Sequence, residues 1–183
     1  MRKVFVLGLK LFLLAAVAGL ALGVTNRITA PAILVQQEQA ADAARRAVLP
    51  EAEKFTALTA TENMKDAFAG YDANGALVGK TGTIVAKGYG GAIEITVGVD
   101  LSGAISGVSI GGSSFAETAG LGARAKEAWF GEQYIGKVSP IAIVKDGGEI
   151  DAITSATITS RAVTNAVNDA VLALGGLTPP TEG

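Results

Sequence analysis

The sequence contains no cysteine and no histidine. The first absence removes disulfides, thiol catalysis and cysteine-held iron–sulfur clusters. The second removes a histidine base, a histidine-ligated haem and the usual zinc sites. Any redox chemistry in this chain must therefore come from an organic cofactor. Aromatic residues are scarce, at 5% with a single Trp. Charge of either sign is not in excess: 15 Lys and Arg stand against 17 Asp and Glu, a net charge of −2. No basic patch stands out, so the chain is read as having no nucleic-acid partner.

What is present is apolar: 49% of residues are hydrophobic, and the mean hydropathy is +0.40. The 183 residues suffice for one domain once a membrane segment is set aside. Met1-Arg2-Lys3 precedes an apolar run over residues 4–24, interrupted by Lys10. A helix of that length spans roughly 31 Å, about the thickness of the hydrocarbon core. Lys10 sits near one end, where a lysine stem can carry its ammonium to the interface. The unbroken part, residues 11–24, is short enough to leave a cleaved signal peptide and a secreted domain open. We expect an uncleaved, single-pass anchor contacting membrane lipid. Arg2, Lys3 and Lys10 against Arg27 place the N-terminus on the cytoplasmic side and the remaining domain outside.

Residues 32–54 are rich in Ala and Gln at near-helical spacing, which predicts a helix ending at Pro50, with Arg45-Arg46 on a solvated face. Asp72-Ala73-Asn74-Gly75 reads as a hairpin turn between two apolar stretches. Ile93, Ile95, Val97 and Val99 alternate with Glu94, Thr96, Gly98 and Asp100, a strand with one face buried. Leu101-Ser102-Gly103 turns it into a second strand through Val108 and Ile110, paired antiparallel because the connection is so short. Another strand is expected over residues 141–144. From Ala162 to Leu174, apolar residues fall at three- and four-residue steps, a helix stripe stopped by Gly175-Gly176. The sum is an α+β domain: a largely antiparallel sheet packed by helices.

Ahead of that last helix stands Asp151, then Thr154-Ser155-Ala156-Thr157-Ile158-Thr159-Ser160, in which all but two residues carry a hydroxyl. Ser and Thr are preferred helix N-caps, so capping alone accounts for such a cluster. A helix start also offers free N–H groups and a positive dipole end to a phosphate. Asp151 to Thr157 resembles the attachment motif of the covalent-FMN domain of Rnf and Nqr respiratory complexes. Residues 150–163 as a whole look most like the G subunit of Rnf. The resemblance implies an FMN phosphate esterified to Thr157. Ser155 departs from it, standing where the family usually has glycine, but keeps the position small.

Glu117-Thr118-Ala119-Gly120-Leu121-Gly122 alone is an ordinary glycine-containing connection, too weak for a dinucleotide fingerprint. It resembles the same family's loop that packs on the flavin ring, with Ala119 in place of the usual proline. On that resemblance Thr118 and Leu121 would touch the ring, and Glu117 would hold the loop or bond the ring. Tyr89, in Gly88-Tyr89-Gly90-Gly91, would lie near the same pocket. Thr154, Ser155 and Ala156 would serve the phosphate or ribityl chain, Asp151 the attaching enzyme, and Lys145 the phosphate charge.

The resemblance therefore implies a membrane anchor over residues 1–30, a helical linker over 31–55, an FMN-binding domain over 56–176 and a loose tail over 177–183. It implies a redox carrier without substrate chemistry of its own, in an ion-translocating ferredoxin:NAD oxidoreductase. Its partners would be the other membrane, iron–sulfur and flavin subunits, and an FMN transferase for maturation. Two rivals stay open: the C subunit of the Na⁺-translocating NADH:quinone oxidoreductase, and a membrane-tethered binding module with no cofactor.

Overall fold

The computed structural model describes residues 2–178. It opens with α1, Arg2–Val48, whose apolar part is long enough to cross a membrane by length and composition. Residues up to Gln39 form one compact unit and those from Ala40 onward a second. The second unit is a five-stranded antiparallel sheet in simple sequence order: β1 Lys54–Ala57, β2 Met64–Tyr71, β3 Leu77–Lys87, β4 Ala92–Asp100 and β5 Ile105–Gly111. After it come the short helix α2, Ala128–Glu132, and the long helix α3, Thr157–Gly176.

Two hairpin turns use the same device. In the first, Asp72 Oδ1 accepts from the N–H groups of Asn74 at 2.9 Å and Ala76 at 2.8 Å. In the second, Asp100 Oδ1 accepts from Ser102 at 2.8 Å and Ala104 at 2.9 Å. Gly75 and Gly103 take the positive φ that each turn requires. The donors hold both carboxyls below their ordinary range: the Ala76 amide is the largest cause at Asp72 and the Ser102 hydroxyl at Asp100.

The core lies between one face of the sheet and α3. Ile93, Ile95, Val97 and Val99 from β4 meet Val163, Val167, Ala170 and Leu174 from the helix, all buried. The apolar stripe read from the sequence is this contact. Lys80 Nζ closes the far end of α3 by donating to the carbonyls of Leu174 and Leu177. The rest of the expected loose tail, from residue 179, lies outside the described residues.

The opposite face of β4 is covered too, so the expectation of a one-sided strand is corrected. Thr83 and Thr96 bond each other through their hydroxyls at 3.0 Å beneath the cover, and Gly98 is buried. There the end of α1 sits on glycines. A Cβ on Gly107 would come within 2.8 Å of the Val48 Cα, and one on Gly98 would strike the Val48 carbonyl. Ser106 Oγ donates to that carbonyl at 2.5 Å. Arg45, expected on a solvated face, is instead largely covered, with its guanidinium carbon 3.5 Å from the Phe68 ring centroid.

The strand expected over residues 141–144 is absent. Ile141 and Ile143 are buried but irregular, joined to the rest by one parallel bridge, Ile143 to Ile150. The side-chain amide of Asn168 on α3 takes the place of a neighbouring strand: its Oδ1 accepts from the Ile141 N–H at 2.8 Å and its Nδ2 donates to the Ile141 carbonyl. The segment then turns through a 3-10 turn, Val144–Asp146, with Gly147 at φ 86°.

Candidate functional site

The hydroxyl cluster does not cap α3. Its N-cap is Ala156, with no side-chain hydrogen bond to the helix, so the first N–H groups of the helix lack intrahelical partners. Each buried hydroxyl of the cluster has another task. Ser160 Oγ accepts from the Ile153 N–H at 2.9 Å and donates to the Ala156 carbonyl at 3.0 Å, stitching the turn to the helix. Thr159 Oγ1 donates to Glu117 Oε2 at 2.8 Å. Ser155 takes φ 62°, in the left-handed region disfavoured for residues with a Cβ. Glycine suits that backbone better than serine, which gives a conformational reason for the glycine of the resembling motif.

Thr157 is the first residue of α3, and its Oγ1 accepts from Lys145 Nζ at 3.1 Å. Lys145 rides on the 3-10 turn, which α3 fastens: Arg161 Nε and Nη2 donate to the Asp146 oxygens at 2.6 and 2.7 Å. That pair keeps the Asp146 carboxyl below its ordinary range and raises the Arg161 guanidinium, in each case first through the side-chain hydrogen bond between them.

A cavity of about 430 Å³ opens beside Thr157. It is lined by Tyr89, Glu117, Thr118, Leu121 and Gly122 from two loops, and by Ser155, Ala156, Thr157, Ile158 and Thr159 from the helix start. Most residues singled out from the sequence thus converge on one place. Three do not line it. Lys145 reaches it only through Thr157. Thr154 and Asp151 are exposed outside it, although the Asp151 backbone is pinned by Gln133, whose Oε1 accepts its N–H at 2.7 Å.

Gly122, Ile158 and Thr159 were missed by sequence reasoning. The signal for Thr159 was available: two residues beyond Thr157, a hydroxyl on a helix turns away from its partner and toward the core. Ile158 is 56% exposed, and with Leu121 at 40% and Tyr89 at 73% it gives the cavity an apolar rim.

Comparison with known proteins meets this geometry directly. The family model described as FMN-binding domain matches residues 88–172, which include the whole cavity lining. The G subunit of the Na⁺-translocating ferredoxin:NAD⁺ oxidoreductase complex of Acetobacterium woodii is 38% identical, over 91% of this chain and 89% of that protein. The chain belongs to the G-subunit family of ion-translocating oxidoreductase complexes. The G subunit of the proton-translocating ferredoxin:NAD⁺ oxidoreductase complex of Clostridium ljungdahlii is 34% identical, over 93% of this chain and 91% of its own length. Among solved structures, the C subunit of the Na⁺-translocating NADH-quinone reductase of Parabacteroides distasonis matches with a TM-score of 0.49 and 24% identity, over 58% of each chain.

For a member of the G-subunit family carrying an FMN-binding domain, the cavity's chemistry is apt. An open helix start and one ammonium suit a phosphate. A rim of leucine, isoleucine and tyrosine suits a planar ring with one polar edge.

Proposed function

We propose that this chain is the FMN-carrying subunit of a membrane-bound, ion-translocating ferredoxin:NAD oxidoreductase, with the FMN phosphate ester-linked to Thr157 Oγ1. The observation that carries the reading is the placement of Thr157. Its hydroxyl stands at the first residue of an uncapped helix, in the wall of the cavity, under the Lys145 ammonium.

Bound there, FMN supplies electron uptake and release, while the protein sets its position. Lys145 offsets phosphate charge, and the free N–H groups of the first turn of α3 donate to phosphate oxygens. Leu121, Ile158 and Tyr89 would give the ring an apolar surface to lie against, with Thr118 beside them. Thr154 and Asp151, exposed beside the acceptor, belong to the surface that an FMN transferase reads. The chain does no bond-making chemistry on a substrate.

Residues 1–30 act as a single-pass anchor in the cytoplasmic membrane and residues 31–55 as a helical linker. The FMN domain, residues 56–176, lies on the outer side. An ester bond suits a carrier in that position, because an FMN lost outside the cell is diluted beyond recapture. The other membrane, iron–sulfur and flavin subunits of the complex exchange electrons with it.

Fluorescence of the denatured protein on a gel, after coexpression with an FMN transferase, tests the reading. A glowing wild-type band and a dark Thr157→Ala band are expected. A dark wild-type band beside a glowing flavoprotein control would overturn the covalent attachment at Thr157.

A further inference from the structure

Glu117 lines the cavity, yet both of its oxygens are already engaged by the protein. Oε1 accepts from the Gly90 N–H at 3.0 Å and Oε2 from Thr159 Oγ1 at 2.8 Å. The first partner belongs to the loop carrying Tyr89, the second to the first turn of α3, one residue beyond Ile158. Thr159 is itself only 1% exposed. A carboxylate has no proton to donate, and here its two strongest directions are spent on holding segments together.

Glycines make the arrangement possible. A Cβ on Gly122 would land on Glu117 Oε2 and lie 2.8 Å from Thr159 Oγ1. A Cβ on Gly88 would land on Oε1 and lie 2.6 Å from Ile93 Cδ1. A Cβ on Gly90 would run into the Ala116 carbonyl. Gly88 and Gly122 thus clear the space around this side chain, Gly90 lets its loop close on the backbone of Ala116, and two hydrogen bonds fill the space.

We propose that Glu117 is a positioning residue: it clamps the Tyr89 loop and the Leu121 loop to the start of α3, and so fixes the spacing of the walls between which the flavin ring lies. This inference rests on FMN being attached at Thr157. The clamp acts through the loops, since each oxygen is bonded to a different one of the segments that wall the ring site. Its charge, held next to the ring site, also favours the oxidised, less negative cofactor.

The test uses the full-length protein coexpressed with an FMN transferase, as wild type, Glu117→Ala, Glu117→Gln and Thr159→Val. Attachment is read by gel fluorescence, and the asymmetry of the ring's surroundings by visible circular dichroism of the folded, loaded protein. Glu117→Ala and Thr159→Val are expected to retain a fluorescent band, weaker than wild type but present because the acceptor Thr157 remains, and to lose most of the dichroism per attached flavin.

Glu117→Gln is expected to recover it. The amide oxygen still accepts from Gly90, and the amide nitrogen can donate to a reversed Thr159 hydroxyl. With the charge gone, its reduction potential rises relative to wild type, a change that a merely structural side chain would not produce. Wild-type dichroism in both Glu117→Ala and Thr159→Val would overturn the clamp, as would a Glu117→Gln protein as featureless as Glu117→Ala. Should Glu117→Ala fail to fold, the near-isosteric Thr159→Val decides alone. A dark wild-type band defeats the attachment reading instead, and this proposal with it, before any clamp variant is compared.

Discussion

Arg161 holds Asp146 with two parallel hydrogen bonds, at 2.6 and 2.7 Å, and thereby ties the turn bearing Lys145 to the helix that begins with Thr157. Breaking the tie by Arg161→Ala should lower the yield of flavin attachment while leaving secondary structure intact. Far-ultraviolet dichroism and gel fluorescence, measured on the same preparation, check this. The tie is also acid-sensitive. A carboxyl held below its ordinary value of 3.8 contributes stability above that pH and loses it as the pH falls through the depressed value. Wild type should therefore show an acid-dependent loss below about pH 4, and Asp146→Asn a smaller one.

Thr157→Ala separates attachment from capping. A capping threonine replaced by alanine costs about 1 kcal/mol. Here the cap position belongs to Ala156, without a side-chain bond, so the unfolding free energy should move by less than ~0.5 kcal/mol. Denaturant titration of the apo proteins measures it. A loss of about 1 kcal/mol or more would restore the capping role.

Ser155 stands at φ 62°. A β-branched residue there meets the left-handed penalty of roughly 1–2 kcal/mol with no local hydrogen bond to offset it. Ser155→Val should be destabilised by about that much and attach less flavin, whereas Ser155→Gly should fold and attach as well as wild type. Equal stability of the valine and glycine variants would remove the conformational account of this position.

Tyr134 is 0% exposed and bonded to Thr164 Oγ1 at 2.8 Å. Thr164 spends its own proton on the Ser160 carbonyl, so the phenol is the donor. Burial pushes the phenol up to about 12 from its ordinary 10.0, the Thr164 contact opposing. Stability from this group is thus complete below pH 10 and drains away as the pH rises toward 12. At about 1.4 kcal/mol per unit, the loss is of order 3 kcal/mol. Urea titrations across that range should show it in wild type and not in Tyr134→Phe, which lacks the ionising group.

The parts of the fold legible in the sequence were those with a regular apolar period or an explicit turn. The stripe on α3 and the alternation of β4 each reported a real contact with the core. The aspartate–glycine turns gave both hairpins. β3 was read only at its start, because residues 79–84 are covered or half-covered on both faces and the alternation vanishes. β1 was missed for the opposite reason: it is a four-residue edge strand, mostly exposed, and has almost no apolar signal. Residues 141–144 misled because Ile141 and Ile143 are buried as any strand would bury them, while the Ile141 backbone bonds to the Asn168 side chain and not to a neighbouring strand.

At the candidate site, the motif pointed to Thr157 and to the two loops. It could not show the Glu117–Thr159 bond, which joins positions 42 residues apart. Nor could it show that Asp151 and Thr154 are exposed and outside the cavity lining.

The sheet joins each strand only to its neighbours in sequence, β1 through β5. Such a sheet can zip together one hairpin after another, with no strand waiting for a distant partner. The helix bearing Thr157 is the last of the described elements and packs on that sheet. On the proposed attachment, the Thr157 hydroxyl would take its place only once this helix has docked, so an attached flavin would mark a domain whose sheet and last helix have already come together.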